Sequence, residues 1–156
     1  MNMRSVVFKA RVEAELEDLD KVVQRTLSAW RYAKEQHNDL FLDAAALNLH
    51  GFYAGVERIF EMISKEIDHS VPSGNAWHRE LVYQMTMDIE SIRPPVISKE
   101  LERVLDEYRG FRHVVRNVYT YNLSEDRLRT LIEGLQDGFT RLRIELGQFL
   151  ALIDGN

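Results

Sequence analysis

Residues 40–67 read LFLDAAALNLHGFYAGVERIFEMISKEI, and this stretch decides the fold class. Its later half carries an apolar stripe at helical spacing, formed by Phe52, Val56, Ile59, Phe60, Ile63 and Ile67. The stripe predicts an amphipathic helix from about Leu40 to Ile67. The first half is rich in small residues, namely Ala44, Ala45, Ala46, Gly51, Ala54 and Gly55. Because small side chains let another helix approach closely, we expect this helix to be central. Packing there must offset an intrinsic helix penalty of about 1 kcal/mol for each glycine.

Helical periodicity continues on both sides of this stretch. We predict a first helix from about Arg11 to Gln36, a shorter helix from about Ala76 to Glu90, and a fourth that follows the N-cap Ser98. A last helix follows the N-cap Ser124, with an apolar stripe over residues 128–150. No alternating strand pattern competes with these helices. The sequence therefore predicts an all-α, up-and-down bundle of four long helices plus one shorter helix.

Length and composition narrow the class of protein. A chain of 156 residues is the size of one domain, and no Pro/Ser-rich linker divides it, so we predict a single domain over residues 1–156. The chain has no cysteine, which excludes disulfides and thiolate nucleophiles and is typical of a reducing compartment. We find no signal peptide or membrane-spanning run, and predict a cytoplasmic protein without membrane association. A net charge of -5 argues against broad capture of nucleic acid but leaves a local basic patch open.

Common catalytic signatures are absent from the sequence. None of the five histidines forms a pair at a spacing of three or four, and the paired Glu-x-x-His motifs of a di-iron bundle are absent. We therefore predict neither a metal centre nor a cofactor. The sequence also lacks a phosphate-binding glycine loop and a Gly-x-Ser-x-Gly elbow.

One segment carries a chemical signature: residues 111–121 read FRHVVRNVYTY. On a helix, Arg112, Arg116 and Tyr119 share a face, and His113 and Asn117 form a neighbouring pair. Two guanidinium groups on one face repel each other unless an anion or an acidic side chain lies between them, and a phosphate suits their fork geometry. The alternative is that Arg116 pairs with acids on an adjacent helix and His113 forms only local hydrogen bonds.

Two other segments, on the second and third helices, also carry polar and aromatic residues that are candidates for a functional site. The second helix places His50, Tyr53, Glu57 and Phe60 along one face. Tyr53 and Glu57 either contact a substrate or are hydrogen-bonded residues at the edge of the core. At the start of the third helix, Trp77 is expected to anchor in the core and His78 to be a surface or capping residue, with a ligand or subunit contact as the alternative.

Together these segments resemble HEPN domains, in particular the HepT-like toxins of prokaryotic toxin–antitoxin pairs. The motif of that family is Arg, four residues, His, one residue, Tyr. Here it falls on Arg112, Asn117 and Tyr119, with His113 at the polar position after the arginine. Residues 50–60 and 77–81 also look like this group, so the resemblance covers roughly residues 40–125.

The resemblance implies metal-independent RNA cleavage, in which the motif His moves protons and the Arg stabilises charge on the phosphate. Asn117 stands where the family has His, and an amide cannot exchange a proton at neutral pH. General acid–base catalysis contributes about 10²–10⁴-fold, so we expect reduced turnover unless His113 substitutes. The expected catalytic set is Arg112, His113, Asn117 and Tyr119, and the expected substrate contacts are Arg116, Tyr53 and Glu57.

The resemblance also implies partners. A minimal nucleotidyltransferase antitoxin is expected to restrain the protein and to modify Tyr119. Positions 112 and 117 lie about 140° apart round a helix, so we predict a homodimer that brings two copies of this helix to one phosphate. The leading interpretation is an endoribonuclease of a toxin–antitoxin or defence module. The alternatives are a catalytically degenerate HEPN module that binds a nucleotide, RNA or the nucleotidyltransferase, and a helical interaction bundle with no role on RNA.

Overall fold

The computed structural model describes residues 2–154, and within that range it contains six α-helices. These are α1 (Met3–Glu35), α2 (Leu40–Ile63), α3 (Trp77–Met85), α4 (Lys99–Asn117), α5 (Glu125–Glu133) and α6 (Leu135–Asp154). A π-helical turn (Ser64–Asp68) extends α2, and a 3-10 turn (Thr120–Asn122) follows α4. The same residues form no β-strand, only an isolated bridge between Ile89 and Arg93. The predicted all-α bundle is confirmed.

The ends of two predicted helices were wrong. The first helix begins at Met3 rather than Arg11, because the side chain of Asn2 accepts a hydrogen bond of 2.8 Å from the Ser5 amide and caps it. The third helix ends at Met85 rather than Glu90. The carbonyl of Met85 accepts hydrogen bonds from the amides of Val96 and Ile97, at 2.8 and 3.2 Å, so the returning chain occupies the acceptor that a longer helix would need.

The predicted last helix is two helices, which changes the expected five elements to six. In a continuous helix the carbonyl of Leu131 would accept the amide of Leu135. This carbonyl accepts a hydrogen bond of 2.6 Å from the hydroxyl of Tyr108 on α4. A side chain that takes a carbonyl out of the helical ladder interrupts the helix, and Gly134 separates α5 from α6.

The central position predicted for the second helix is confirmed, since α2 packs against α1, α3 and α4. A methyl group added at Gly55 would lie 2.5 Å from Cδ2 of Leu19 on α1, so this glycine permits a close approach. Phe52 makes edge contacts with Tyr108 and Phe139, at ring-centroid distances of 5.5 and 6.3 Å. These three rings join α2, α4 and α6 in the core.

A buried ion pair holds α3 against the end of α2. The side chain of Arg93 is fully buried and binds both carboxylate oxygens of Asp68, at 2.6 and 2.8 Å. Arg93 also donates to the carbonyl of Gln84 on α3. The pair therefore ties the C-terminal end of α3 to the turn that extends α2. None of the helices described over residues 2–154 has the length and apolar character needed to cross a membrane.

Candidate functional site

A cavity of about 440 Å³ lies where α2, the start of α3 and the last turns of α4 meet. Its lining consists of Tyr53, Asn75, Ala76, His78, Arg79, Arg109, Arg112, His113, Arg116 and Asn117. Four of these residues are arginines and two are histidines, and no acidic side chain of the described chain is among the lining residues. The cavity is therefore a local cationic site in an acidic protein.

Helix α4 supplies half of this lining because of its periodicity. Its buried stripe of Leu101, Leu105, Tyr108 and Phe111 faces the core. A second stripe at positions 109, 112, 113, 116 and 117 lies at helical spacing and faces the cavity. Ser98 caps the helix as predicted, accepting the Leu101 amide at 3.1 Å. The sequence interpretation missed Arg109, although it lies three positions before Arg112 on the same face.

Glu57, which is buried on α2, is one of two acidic residues that bind arginines of this cavity, and the other is Asp106, which binds Arg109 at 2.7 Å. One of the Glu57 carboxylate oxygens, Oε1, binds Nη1 of Arg112, while Oε2 lies 2.5 Å from Nδ1 of His78. An acid does lie beside the guanidinium groups, but it binds Arg112 rather than Arg116. Glu57 itself does not line the cavity. Its place behind Arg112 and His78 fits the alternative of a hydrogen-bonded residue at the edge of the core, and a substrate contact stays a prediction.

His78 is positioned by two contacts that the expectation of a surface or capping residue did not include. Its imidazole stacks on the ring of Trp77, with centroids 3.6 Å apart. Its Nδ1 faces the carboxylate of Glu57, and 31% of the side chain remains exposed, on the cavity wall. The family-like segment at residues 77–81 gave a signal, but only the fold places this ring next to Glu57.

Two buried polar atoms at the cavity have no hydrogen-bond partner among residues 2–154, namely Tyr53 Oη and Arg112 Nε. Burial, followed by the nearby charge of Glu57, raises the pKa of Tyr53, so its hydroxyl stays protonated. Buried donors without a hydrogen-bond partner are uncommon in proteins.

The end of α4 differs from the prediction. The helix stops at Asn117, so Tyr119 does not share a face with Arg112 and Arg116. Tyr119 is 73% exposed and stacks on Tyr121 with centroids 5.7 Å apart. Asn117 donates from Nδ2 to the carbonyl of His113 at 2.6 Å and lines the same cavity as Arg112. Both motif positions therefore reach one site without a second subunit, and the homodimer stays a prediction that this geometry does not require.

Two further residues belong to the second-helix face that carries Tyr53 and Glu57. Phe60, which is also part of the predicted apolar stripe, is fully buried in the core. His50 is half-buried, and burial together with the positive charges of Arg112 and Arg116 lowers its pKa. It lies near the cationic stripe without lining the cavity. Across the described range, no group of three or more His, Asp or Glu side chains is arranged to hold a metal ion.

These features define a class, the all-α bundles that carry an arginine-rich cavity at the C-terminal end of one helix. The chain belongs to the HepT-like protein family, whose pattern matches residues 44–153, and with it to the HEPN superfamily. The matched range includes every residue that lines the cavity. Comparisons with curated proteins and with solved structures give no significant match.

Proposed function

We propose that this protein is a HepT-like component of a prokaryotic toxin–antitoxin or related defence module that binds RNA in the α2–α3–α4 cavity and cleaves it without a metal ion. The observation that carries the proposal is the composition of the cavity, with four arginines and two histidines and no acid among its lining residues. Glu57 binds Arg112 and Asp106 binds Arg109, whereas Arg79 and Arg116 have no acidic partner among the described residues. Membership of the HepT-like family supports the same role.

The chemistry follows from the residue types. Guanidinium groups bind phosphate oxygens through paired N–H donors, and both Arg112 and Arg116 line the cavity. In the proposed reaction Arg112 and Arg116 stabilise the negative charge that develops on the phosphorus oxygens. His113 and Asn117 contact the sugar-phosphate backbone from the same helix face, and Tyr53 donates its hydroxyl. A volume of about 440 Å³ is that of a site for a nucleotide-sized ligand.

The alternative is a degenerate HEPN module that binds RNA, a nucleotide or the nucleotidyltransferase without turnover. Asn117 favours it, because the amide cannot transfer a proton and its Nδ2 is already bonded to the His113 carbonyl. Restoring the family residue distinguishes the two proposals. If Asn117→His gains a nuclease activity that the parent lacks, the natural protein is the binding form.

We also propose a homodimer and a minimal nucleotidyltransferase partner that transfers a nucleotide to Tyr119. The exposure of Tyr119, beyond the end of α4, leaves its hydroxyl accessible to such an enzyme. Sedimentation at micromolar concentration tests the dimer, and a purely monomeric protein would contradict it. Intact-mass analysis after incubation with the partner and a nucleoside triphosphate tests the modification, with Tyr119→Phe as the control.

The main experiment measures binding and cleavage of tRNA and total cellular RNA in EDTA. We expect cleavage to survive EDTA and to be lost in Arg112→Ala. The matched control is Arg103→Ala, because Arg103 is exposed on the opposite side of α4 and outside this cavity. If Arg112→Ala and Arg103→Ala behave alike, the cavity is not the RNA site.

A further inference from the structure

We propose that His78 is the general base of RNA cleavage at this cavity and that Glu57 is the positioning residue that holds it. The inference rests on the proposed RNA-directed function of the same site. It supplies the proton carrier that Asn117 cannot be, and it places that residue on α3, outside the motif at the end of α4.

The first argument is the tautomer of the ring. A carboxylate has no proton to donate, so the 2.5 Å contact between Glu57 Oε2 and His78 Nδ1 requires the proton to be on Nδ1. In a neutral imidazole this leaves a lone pair on Nε2. His78 is a lining residue of the cavity, and Nε2 is therefore the nitrogen available to a ligand there.

The second argument is rigidity. The ring of His78 is held on one side by Glu57 and stacks on Trp77 at 3.6 Å, so its orientation is set before a substrate arrives. The other cavity histidine, His113, has an exposed side chain, and the hydrogen bonds of the described chain reach its carbonyl but not its ring. A general base must be within hydrogen-bond reach of its proton in a defined pose, and His78 is the one that the fold orients.

The third argument is that one buried carboxylate organises both partners. Glu57 binds Arg112 through Oε1 and His78 through Oε2, so the phosphate-binding guanidinium and the base are neighbours across a single group. When the ring gains a proton, the Glu57 carboxylate stabilises the imidazolium in place. An acid that orients and stabilises a catalytic histidine in this way is the general logic of carboxylate–imidazole pairs.

The reaction balances without a further reagent. Nε2 of His78 takes the proton of the ribose 2′-hydroxyl as the 2′-oxygen attacks phosphorus. The new P–O2′ bond forms and the P–O5′ bond breaks, while arginines of the cavity hold the non-bridging oxygens. The leaving 5′-oxygen takes a proton from water, and His78 returns its proton to water. The products are a 2′,3′-cyclic phosphate and a 5′-hydroxyl end.

The experiment compares cleavage with binding in the full chain. Single-turnover rates are measured on an RNA oligonucleotide in EDTA, and affinity is measured with the same RNA carrying 2′-O-methyl groups, which cannot be cleaved. We expect His78→Gln to lower the rate by about 10²–10⁴-fold while the affinity changes by no more than a few-fold. The matched control is His37→Asn, because His37 is exposed, lies outside the cavity and has a φ of 48° that asparagine tolerates.

Chemical rescue separates a catalytic role from a structural one. Added imidazole is expected to restore part of the lost rate in His78→Ala, because the truncated side chain leaves room beside the cavity.

For Glu57, the readout is ¹⁵N NMR of the His78 ring. Glu57→Leu should release the ring from the Nδ1–H tautomer, whereas Glu61→Gln, one turn further along α2, should not. If the variants do not fold, the wild-type protein still decides: the Nε2 signal of His78 should shift when the methylated RNA binds.

Each outcome decides between the two proposals. A His78→Gln variant that cleaves at the wild-type rate, or that loses affinity and rate by the same factor, overturns the role of His78 and leaves the RNA site standing. A wild-type protein that binds RNA without cleaving it has the same consequence. A protein that neither binds nor cleaves RNA overturns the proposed function and the role of His78 together.

Discussion

Two glycines one turn apart on α2 provide a direct test of the close packing at the centre of the bundle. A methyl group added at Gly51 meets nothing within 4 Å, whereas one added at Gly55 would lie 2.5 Å from Cδ2 of the buried Leu19. Both substitutions to alanine gain about 1 kcal/mol of helix propensity. Overpacking a core costs about 1–3 kcal/mol. We therefore expect Gly51→Ala to raise the free energy of unfolding by about 1 kcal/mol, and Gly55→Ala to lower it by up to about 2 kcal/mol or leave it unchanged.

Thermal and urea denaturation followed by circular dichroism measure these changes. One kcal/mol corresponds to about 2–4 °C in Tm for a chain of this size, so the two variants should differ by at least about 2 °C. Leu19→Ala removes the atom that the new methyl group meets, and the two substitutions should therefore couple in a double-mutant cycle. If Gly51→Ala and Gly55→Ala stabilise the protein equally, the close approach of α1 to α2 is refuted.

Three further predictions concern buried and half-buried polar groups. Asp68→Asn leaves the charge of Arg93 buried without its counter-ion, and should lower the free energy of unfolding by about 3–5 kcal/mol in urea denaturation. Tyr53→Phe removes a buried hydroxyl without a partner in the described chain, and should raise stability by about 1 kcal/mol while weakening RNA binding; a less stable variant would contradict it. Burial and the charge of Arg112 lower the pKa of His50 below its ordinary value of 6.5, so the unfolded chain takes up the proton first as the pH falls. Acidification from about pH 7.5 to about pH 5.5 should therefore reduce the Tm of the wild type more than that of His50→Gln.

Local periodicity was sufficient to predict most of the helices. An apolar residue every three or four positions forces one face into the core, whatever the neighbouring helices are. That rule places Phe52 and Val56 on the buried face of α2, and both are buried. The N-caps Ser98 and Ser124 were also readable, because a capping hydrogen bond forms within three residues of the chain.

Two of the helix ends that the sequence prediction missed depend on distant residues. The break between α5 and α6 occurs where Tyr108 takes a carbonyl of α5, and these two groups are 23 positions apart. The end of α3 at Met85 depends on amides of the returning chain. Neither partner is visible in a window of local sequence, so periodicity alone extended both helices too far.

In the candidate site too, the local sequence predicted the features that lie on one helix but not the contacts between helices. Residues 111–121 identified the arginine face of α4 by spacing and by resemblance to the HEPN motif, because helix geometry relates neighbours in sequence to neighbours in space. Glu57 and His78 are 21 positions apart, and Glu57 and Arg112 are 55 apart. No pattern in the local sequence predicts either of these contacts.

The sequence by itself determined an all-α chain, the helix that carries the arginines, and the family. Those properties depend on spacing along one helix and on a motif of eight residues, 112–119. Only the tertiary structure decided that a buried carboxylate joins Arg112 to His78, that Tyr119 lies outside the helix, and that the cavity has its cationic lining. The physical reason is that hydrogen bonds and ion pairs between helices depend on how the helices pack, and packing is a property of the whole bundle.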